Sequence, residues 1–389
     1  MTHGSVIRRR SFLIGFVFGA LASASTPALA LPTMIRLGYP NCAACHLSPQ
    51  GGGPLNEYGR TIDEAQSLRA KEYKPAQNPF AFAKFGDGLM VQDLRVVFVG
   101  QEASASHQSA TNSFRPRLMY RNFTDFGNGL RVSGVLSAEF EHTPRPVLRY
   151  DNPIIPPNLI VNTALVHYRP SKAVEFAAGK DQLPSGLNIP DLATFTKARN
   201  RFGYYDTPLQ VKAFIGRSRY AVMPFAYAPG GYEPAGEGES GVGTIAEYDL
   251  LGRGTTVVGV SLLRGSADFG DRRQIGAYTR LGFGPWGILA EHDVTDRTRT
   301  ADAAFSVRQQ TSYAQVFWAV REWLVASAIG ERVSVEQPFV ERQAAAKLEV
   351  ATRLTNQAAV TASARVVRNQ LDQTWGKSFT VQIAIKTAQ

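Results

Sequence analysis

The sequence has 389 residues, 44% of them hydrophobic, 10% aromatic and only 19% charged, against roughly 25% charged in ordinary soluble domains. This composition excludes a disordered chain, and two cysteines exclude a disulfide-built scaffold. The net charge is +10, but Arg8, Arg9 and Arg10 lie in the leader described next, which leaves 39 basic against 32 acidic residues. No Lys/Arg run follows the leader, so no nucleic-acid partner is expected.

The first 30 residues read as a signal peptide. A basic start (Arg8 to Arg10) precedes an apolar stretch from Phe12 to about Ala24, and Ala28-Leu29-Ala30 supplies an A-x-A cleavage site. The apolar stretch is too short to cross a bilayer as a helix, and no later stretch reaches the length a membrane helix needs. A membrane-crossing role must therefore fall to strands.

Cys42-Ala43-Ala44-Cys45-His46 follows soon after the leader and holds both cysteines of the chain. C-x-x-C-H is the attachment motif of c-type haem. Two thiols spaced in this way can add to the two vinyl groups on one porphyrin edge, and the adjacent imidazole reaches the iron. One covalent haem c on Cys42, Cys45 and His46 is the leading expectation, with a plain disulfide or a redox dithiol as the alternative. A thioredoxin-like dithiol would need a βαβ setting, whereas Pro40, Pro49 and Gly51-Gly52-Gly53 flank this motif. A zinc site would need further ligands, and no second Cys/His cluster exists. For the sixth iron position the candidates are Met34 and Met90, with His107, His142 and His167 further along.

Residues 31–84 form the expected haem-binding segment, small for an independent core, with a helix over Thr61 to Ala70 whose apolar face is Ile62, Ala65 and Leu68. From residue 85 to 389 the pattern turns to period two. Leu130, Val132, Gly134, Leu136, Ala138 and Phe140 alternate with Arg131, Ser133, Ser137 and Glu139. Ala346, Leu348, Val350, Thr352 and Leu354 oppose Lys347, Glu349 and Arg353, and Phe379, Val381, Ile383 and Ile385 oppose Thr380, Gln382, Ala384 and Lys386. Recurring alternation of this kind predicts a mainly β protein with an outer-membrane antiparallel β-barrel of about 16 strands. Aromatics near segment ends (Tyr120, Tyr168, Tyr278, Phe283, Trp286, Trp318, Trp323) fit interfacial girdles. Gln101 to Ser113, Thr143 to Asn158 and Tyr227 to Gly243 read as polar connections. Arg115, Arg117 and Arg121 share one face, and on a lumen wall they would repel iron ions and attract anions.

The order of these parts resembles the fused outer-membrane monohaem cytochrome c-porins of the iron-oxidising type. The match rests on Cys42 to His46 after a leader, on Gly51 to Gly53 followed by Leu55, Tyr58 and Gly59, and on the strand-rich remainder. Val174 to Leu187 is also similar to a strand-and-loop element of phosphate-selective porins. The resemblance implies electron transfer across the outer membrane, with extracellular ferrous iron as donor. On this reading the partners are an extracellular redox substrate, a periplasmic carrier such as a soluble cytochrome, and outer-membrane lipid. One haem, about 10 Å wide, cannot span a core of about 25 to 30 Å by itself, so the soluble carrier is expected to enter or dock at the lumen. The alternative function is a diffusion porin with a haem-containing or disulfide-stapled plug.

Overall fold

The computed structural model describes residues 26–27, 32–39, 45–46, 55, 57–68, 82–106, 110–140, 159–171, 173–189, 194–202, 206–231, 238–268, 270–299, 306–336, 340–355 and 357–387. The leader with its cleavage site, Cys42, Gly51 to Gly53, His107, His142 and the connection Thr143 to Asn158 lie outside the described residues, apart from Thr26–Pro27, a two-residue strand against Ala358 and Gln357.

Among the described residues, sixteen antiparallel strands make one closed wall, to which the short strands Thr26–Pro27 and Phe82–Phe85 add at the ends of their partners. The wall strands are β1 (Gly88–Ala105), β2 (Thr111–Asp125), β3 (Leu130–Glu139), β4 (Leu159–Ser171), β5 (Val174–Lys180), β6 (Leu209–Gly216), β7 (Tyr220–Ala228) and β8 (Ser240–Asp249), followed by β9 (Thr256–Ala267), β10 (Gly270–Phe283), β11 (Trp286–Arg299), β12 (Ser306–Arg321), β13 (Leu324–Glu336), β14 (Glu341–Thr355), β15 (Gln357–Asn369) and β16 (Trp375–Lys386). Every strand pairs with its sequence neighbours, and β16 closes on β1 from Gly376↔Ala105 to Lys386↔Arg95. Closure leaves no free edge, the condition a sheet must meet in hydrocarbon.

Side-chain alternation explains why these segments are strands of a membrane wall. On β9, Val257, Gly259, Ser261, Leu263 and Gly265 are buried, while Val258, Val260, Leu262 and Arg264 between them are exposed. The same register puts Ser133, Ser137 and Glu139, Lys347 and Arg353, and Ala384 and Lys386 inside. The outside carries exposed Leu94, Leu136, Val166, Phe176, Val211, Ile275, Val316, Leu348 and Phe379. Such a surface suits lipid and not water.

The two ends of the barrel differ. Connections at one end are short: 126–129, 172–173, 217–219, 250–255, 284–285, 322–323 and 356. The other end carries the long connections 140–158, 181–208 and 229–239. Short turns mark the periplasmic side of such barrels and long loops the outer side, so the start of β1 and the end of β16 both lie on the periplasmic side. Trp286 and Trp318 stack at the short-turn end, ring centroids 5.3 Å apart.

Three expectations are corrected. Gln101 to Ser113 is mainly strand, with β1 running to Ala105 and β2 starting at Thr111. Tyr278 belongs to the lumen, at 5% exposure, because its place on β10 shares register with Arg272, Gln274 and Arg280. The helix α1 (Glu57–Ala65) starts a turn earlier than expected and buries Gly59 and Asp63, with Gln66 and Ser67 just beyond its end, while Ala65 and Leu68 are exposed. A helix docked against a polar lumen wall buries its polar face, the reverse of one packed on an oily core.

Candidate functional site

Described parts of the N-terminal segment lie against the inner wall of the barrel at its short-turn end. A 3-10 helix, Pro32–Leu37, lies against β10 and β11. Its Ile35 is 1% exposed and shares an apolar cluster with Leu187 and Ile189 of the long 181–208 connection and with Val257, Tyr278, Leu289, Tyr313, Phe317 and Ile329 of the wall. The backbone of Arg36 runs so close to Gly282 that a Cβ there would meet the Arg36 Cα at 2.5 Å. A side chain at Gly282 would displace the helix.

Helix α1 is held by charge. Asp63 sits between Arg353 Nη1 at 3.2 Å and Lys386 Nζ at 3.3 Å, and all three residues are buried. Leu68 N donates to Arg353 O at 2.9 Å. Arg353 occupies a register shift at the end of β14, an irregularity that re-aims side chains. Lys386 is the last residue of β16.

The thiol-imidazole pair lies on this plug. Cys45 is half-buried and His46 buried, and His46 bridges Leu55 in a short antiparallel contact. Helix α1 presses against the motif, since a Cβ on Gly59 would come within 2.1 Å of Cys45 O. Tyr39 and Tyr58 join the two sides of the motif edge to face, centroids 5.9 Å apart, with their hydroxyls hydrogen-bonded. That bond and partial burial push Tyr39 up to about 12. Burial raises Cys45 too, and nearby Asp63 adds to it against the opposing effect of Arg353. A thiol raised in this way is a poor exchanging thiolate. The donor set, a thiol and an adjacent imidazole held against a helix, fits covalent haem. Cys42 would supply the second thioether.

Among the candidate sixth ligands, Met34 is on the 3-10 helix beside Ile35. Met90 falls on the outward register of β1, alternate to buried Val91 and Asp93. His167 faces the lumen with both ring nitrogens engaged, Nδ1 with Glu175 at 2.9 Å and Nε2 with Ser133 at 2.8 Å.

Above the plug, the 181–208 connection folds into the lumen from β5 and reaches the far wall. Leu187 N donates to Glu291 Oε2 at 3.2 Å, and Phe195 N, at the start of the short helix α2 (Phe195–Ala198), donates to Glu331 Oε2 at 2.6 Å. Asn200 donates to Asp293 Oδ2 at 2.9 Å and accepts from Gln309 at 2.8 Å and Thr295 at 3.0 Å. Arg272 Nη1 donates to Asn200 O at 2.6 Å. Lys197 Nζ closes the connection on itself through Ser185 O at 3.0 Å. This inner loop narrows the lumen; its strand-and-loop start, Val174 to Leu187, was legible as a resemblance, but its course into the lumen was not. Its faint signal was Pro184-Ser185-Gly186, a turn following the apolar strand β5.

The arginines expected to attract anions do face the lumen, but each has a partner. Arg121 makes a two-pronged pair with Asp93 at 2.7 and 2.6 Å, Arg117 pairs with Glu139, and Arg115 donates to Gln101 at 2.7 Å. Cross-strand carboxylates neutralise Arg121 and Arg117, while Arg115 is held by a neutral amide, so an anion-attracting set of three does not follow from them.

Leu187 is the joint between inner loop and plug. Leu187→Ala is expected to cost about 2–5 kcal/mol of packing there. Hydrogen exchange should speed up in residues 183–202 and 32–38 while the strand amides stay protected. Unchanged exchange in both segments would mean that loop and plug are held separately.

A closed sixteen-stranded wall, an apolar exterior, short turns at one end and a loop folded into a polar lumen define an outer-membrane β-barrel of the porin type. Solved porins share this fold. The anion-selective porin from Comamonas acidovorans is similar with a TM-score of 0.57 at 11% identity, over 76% of this chain and 99% of that one. OmpT of Vibrio cholerae matches with a TM-score of 0.57 at 10% identity, over 78% and 99%. OprB of Pseudomonas putida matches with a TM-score of 0.57 at 10% identity, over 76% and 94%. No protein-family model and no curated protein matches the chain.

Proposed function

We infer that this protein is an exported outer-membrane electron conduit, a c-type cytochrome segment fused to a porin-like barrel. The observation that carries the reading is the Asp63 clamp: Arg353 and Lys386 hold the segment bearing Cys45 and His46 at the barrel mouth. Cys42 and Cys45 would hold haem c covalently and His46 would supply one axial ligand, with Met34 on the same plug as the favoured source of the other. When bound, the group supplies one-electron chemistry, its iron alternating between ferrous and ferric states. The chain's own contribution is to fix that segment on the periplasmic side, where a soluble carrier can reach it, and to limit water around it with Ile35 and the wall. Ferrous iron is the proposed outer donor on the strength of the resemblance alone.

The inner loop favours a second reading, in which small solutes pass the lumen and the plug is a gate. Haem-peroxidase staining of the outer-membrane fraction, after co-expression with cytochrome c maturation proteins, separates the two. A stained band near the mature mass is expected. A folded but unstained protein would overturn the conduit and leave the plugged porin.

A further inference from the structure

The outward face of the wall is charged in one arc. Above the apolar band on eight neighbouring strands, β9 to β16, the lipid-facing register meets Arg264, Arg273, Asp296, Arg308, Arg332, Arg342, Arg368 and Lys377 in turn. All eight are exposed, and each lies within four residues of its strand's long-loop end. Beneath them on the same register come side chains such as Leu262, Ile275, Val316, Leu348 and Phe379, all exposed to the lipid side. The acids of the arc are fewer: Asp296, which Arg308 reaches at 3.9 Å, with Asp271 and Glu336 nearer the loops. On β2 to β8 the outward register of the described strands carries one charge, Lys180 at the loop end of β5, which is buried and donates to Gly230 O at 3.0 Å, and on β1 it carries Glu102.

Register and spacing make this more than scattered solvation. Arg264 and Arg273 stand directly opposite each other across β9 and β10, a like-charge pairing that is unfavourable by itself and is relieved when an anion sits between the two. Arg side chains at the top of an apolar band reach the headgroup level, and the guanidinium fork matches phosphate oxygens. The opposite rim of the same strands ends instead in aromatics, Phe283, Trp286 and Trp318, so the basic excess belongs to one leaflet.

We propose that the outward arc of Arg264, Arg273, Arg308, Arg332, Arg342, Arg368 and Lys377 docks the phosphate-bearing lipid headgroups of the outer leaflet against half of the barrel's circumference. This surface is independent of the plug and the lumen.

The test uses the full chain in neutral detergent, with bis-phosphorylated lipid A and its dephosphorylated counterpart as probes, read by native mass spectrometry. The phosphorylated probe is expected to bind and the dephosphorylated one to bind far more weakly. Each basic residue near an anionic leaflet is worth about 1 kcal/mol, or about fivefold, so the combined Arg264→Gln, Arg273→Gln, Arg332→Gln and Arg342→Gln variant should lose affinity by about several hundredfold. The corresponding four-lysine variant should recover most of it. Equal binding of both probes by the unaltered protein overturns the proposal, as does undiminished binding by the glutamine variant with normal heat-modifiable mobility.

Discussion

Asp63→Asn is expected to unseat the N-terminal segment and open the barrel to ions. The substitution preserves shape but removes the counter-charge that Arg353 and Lys386 share at 3.2 and 3.3 Å. Breaking a buried ion pair from one side typically costs 3–5 kcal/mol, because the remaining charges stay desolvated, and here two cations would face each other across the vacated carboxylate. That loss falls on docking, since the wall keeps its own hydrogen-bonded ladder. In planar bilayers the variant should therefore conduct severalfold better than the unaltered protein, and an added protease should reach residues 32–68 much faster. The clamp is shielded, so moderate salt should not reproduce the effect. Wild-type conductance and protease resistance in Asp63→Asn would show that Ile35 and its apolar neighbours hold the plug without help.

Replacing the thiols should abolish a property outright. In Cys42→Ala, and separately in Cys45→Ala, one thioether cannot form, and covalent haem staining of the denatured chain is expected to fall to a small fraction or to nothing. The barrel should survive, because the sixteen-strand ladder is complete without them. Heat-modifiable gel mobility checks this. If both staining and mobility disappear, the plug with its haem is part of the folding core and not a passenger. His46→Ala, by contrast, should leave both thiols in place and shift the absorption spectrum of any attached haem.

Much of the barrel was legible in the sequence because its physics is local. A strand with lipid on one side and a wet lumen on the other must alternate, so the residues of β3, β14 and β16 declared their faces directly. Strand number followed from segment length and turn chemistry. The lumen was less legible. A lone Glu291, Asp293 or Glu331 on a strand reads as one more wall residue, and its role as an anchor for the inner loop depends on partners 93 to 136 positions away. Arg121 and Asp93, only 28 positions apart, pair across neighbouring strands through a register that alternation alone does not fix, and this turns an expected anion attractor into a neutral element. Helix α1 was misplaced for a different reason: apolar periodicity was taken to mark the buried face, but the helix packs against charged wall residues. Its informative residue was Asp63.

The Asp63–Lys386 contact spans 323 positions of chain, which orders events in time. Asp63, which precedes all sixteen wall strands, meets this partner only on β16, the last of them. Docking of the plug must therefore follow insertion of β16, and contacts of such separation form late because the intervening chain has to be organised first. A truncated or misregistered wall would lack Lys386 at this place and leave Asp63 with Arg353 alone. The seated plug thus acts as a proofreading mark: it certifies that the barrel behind it has been closed.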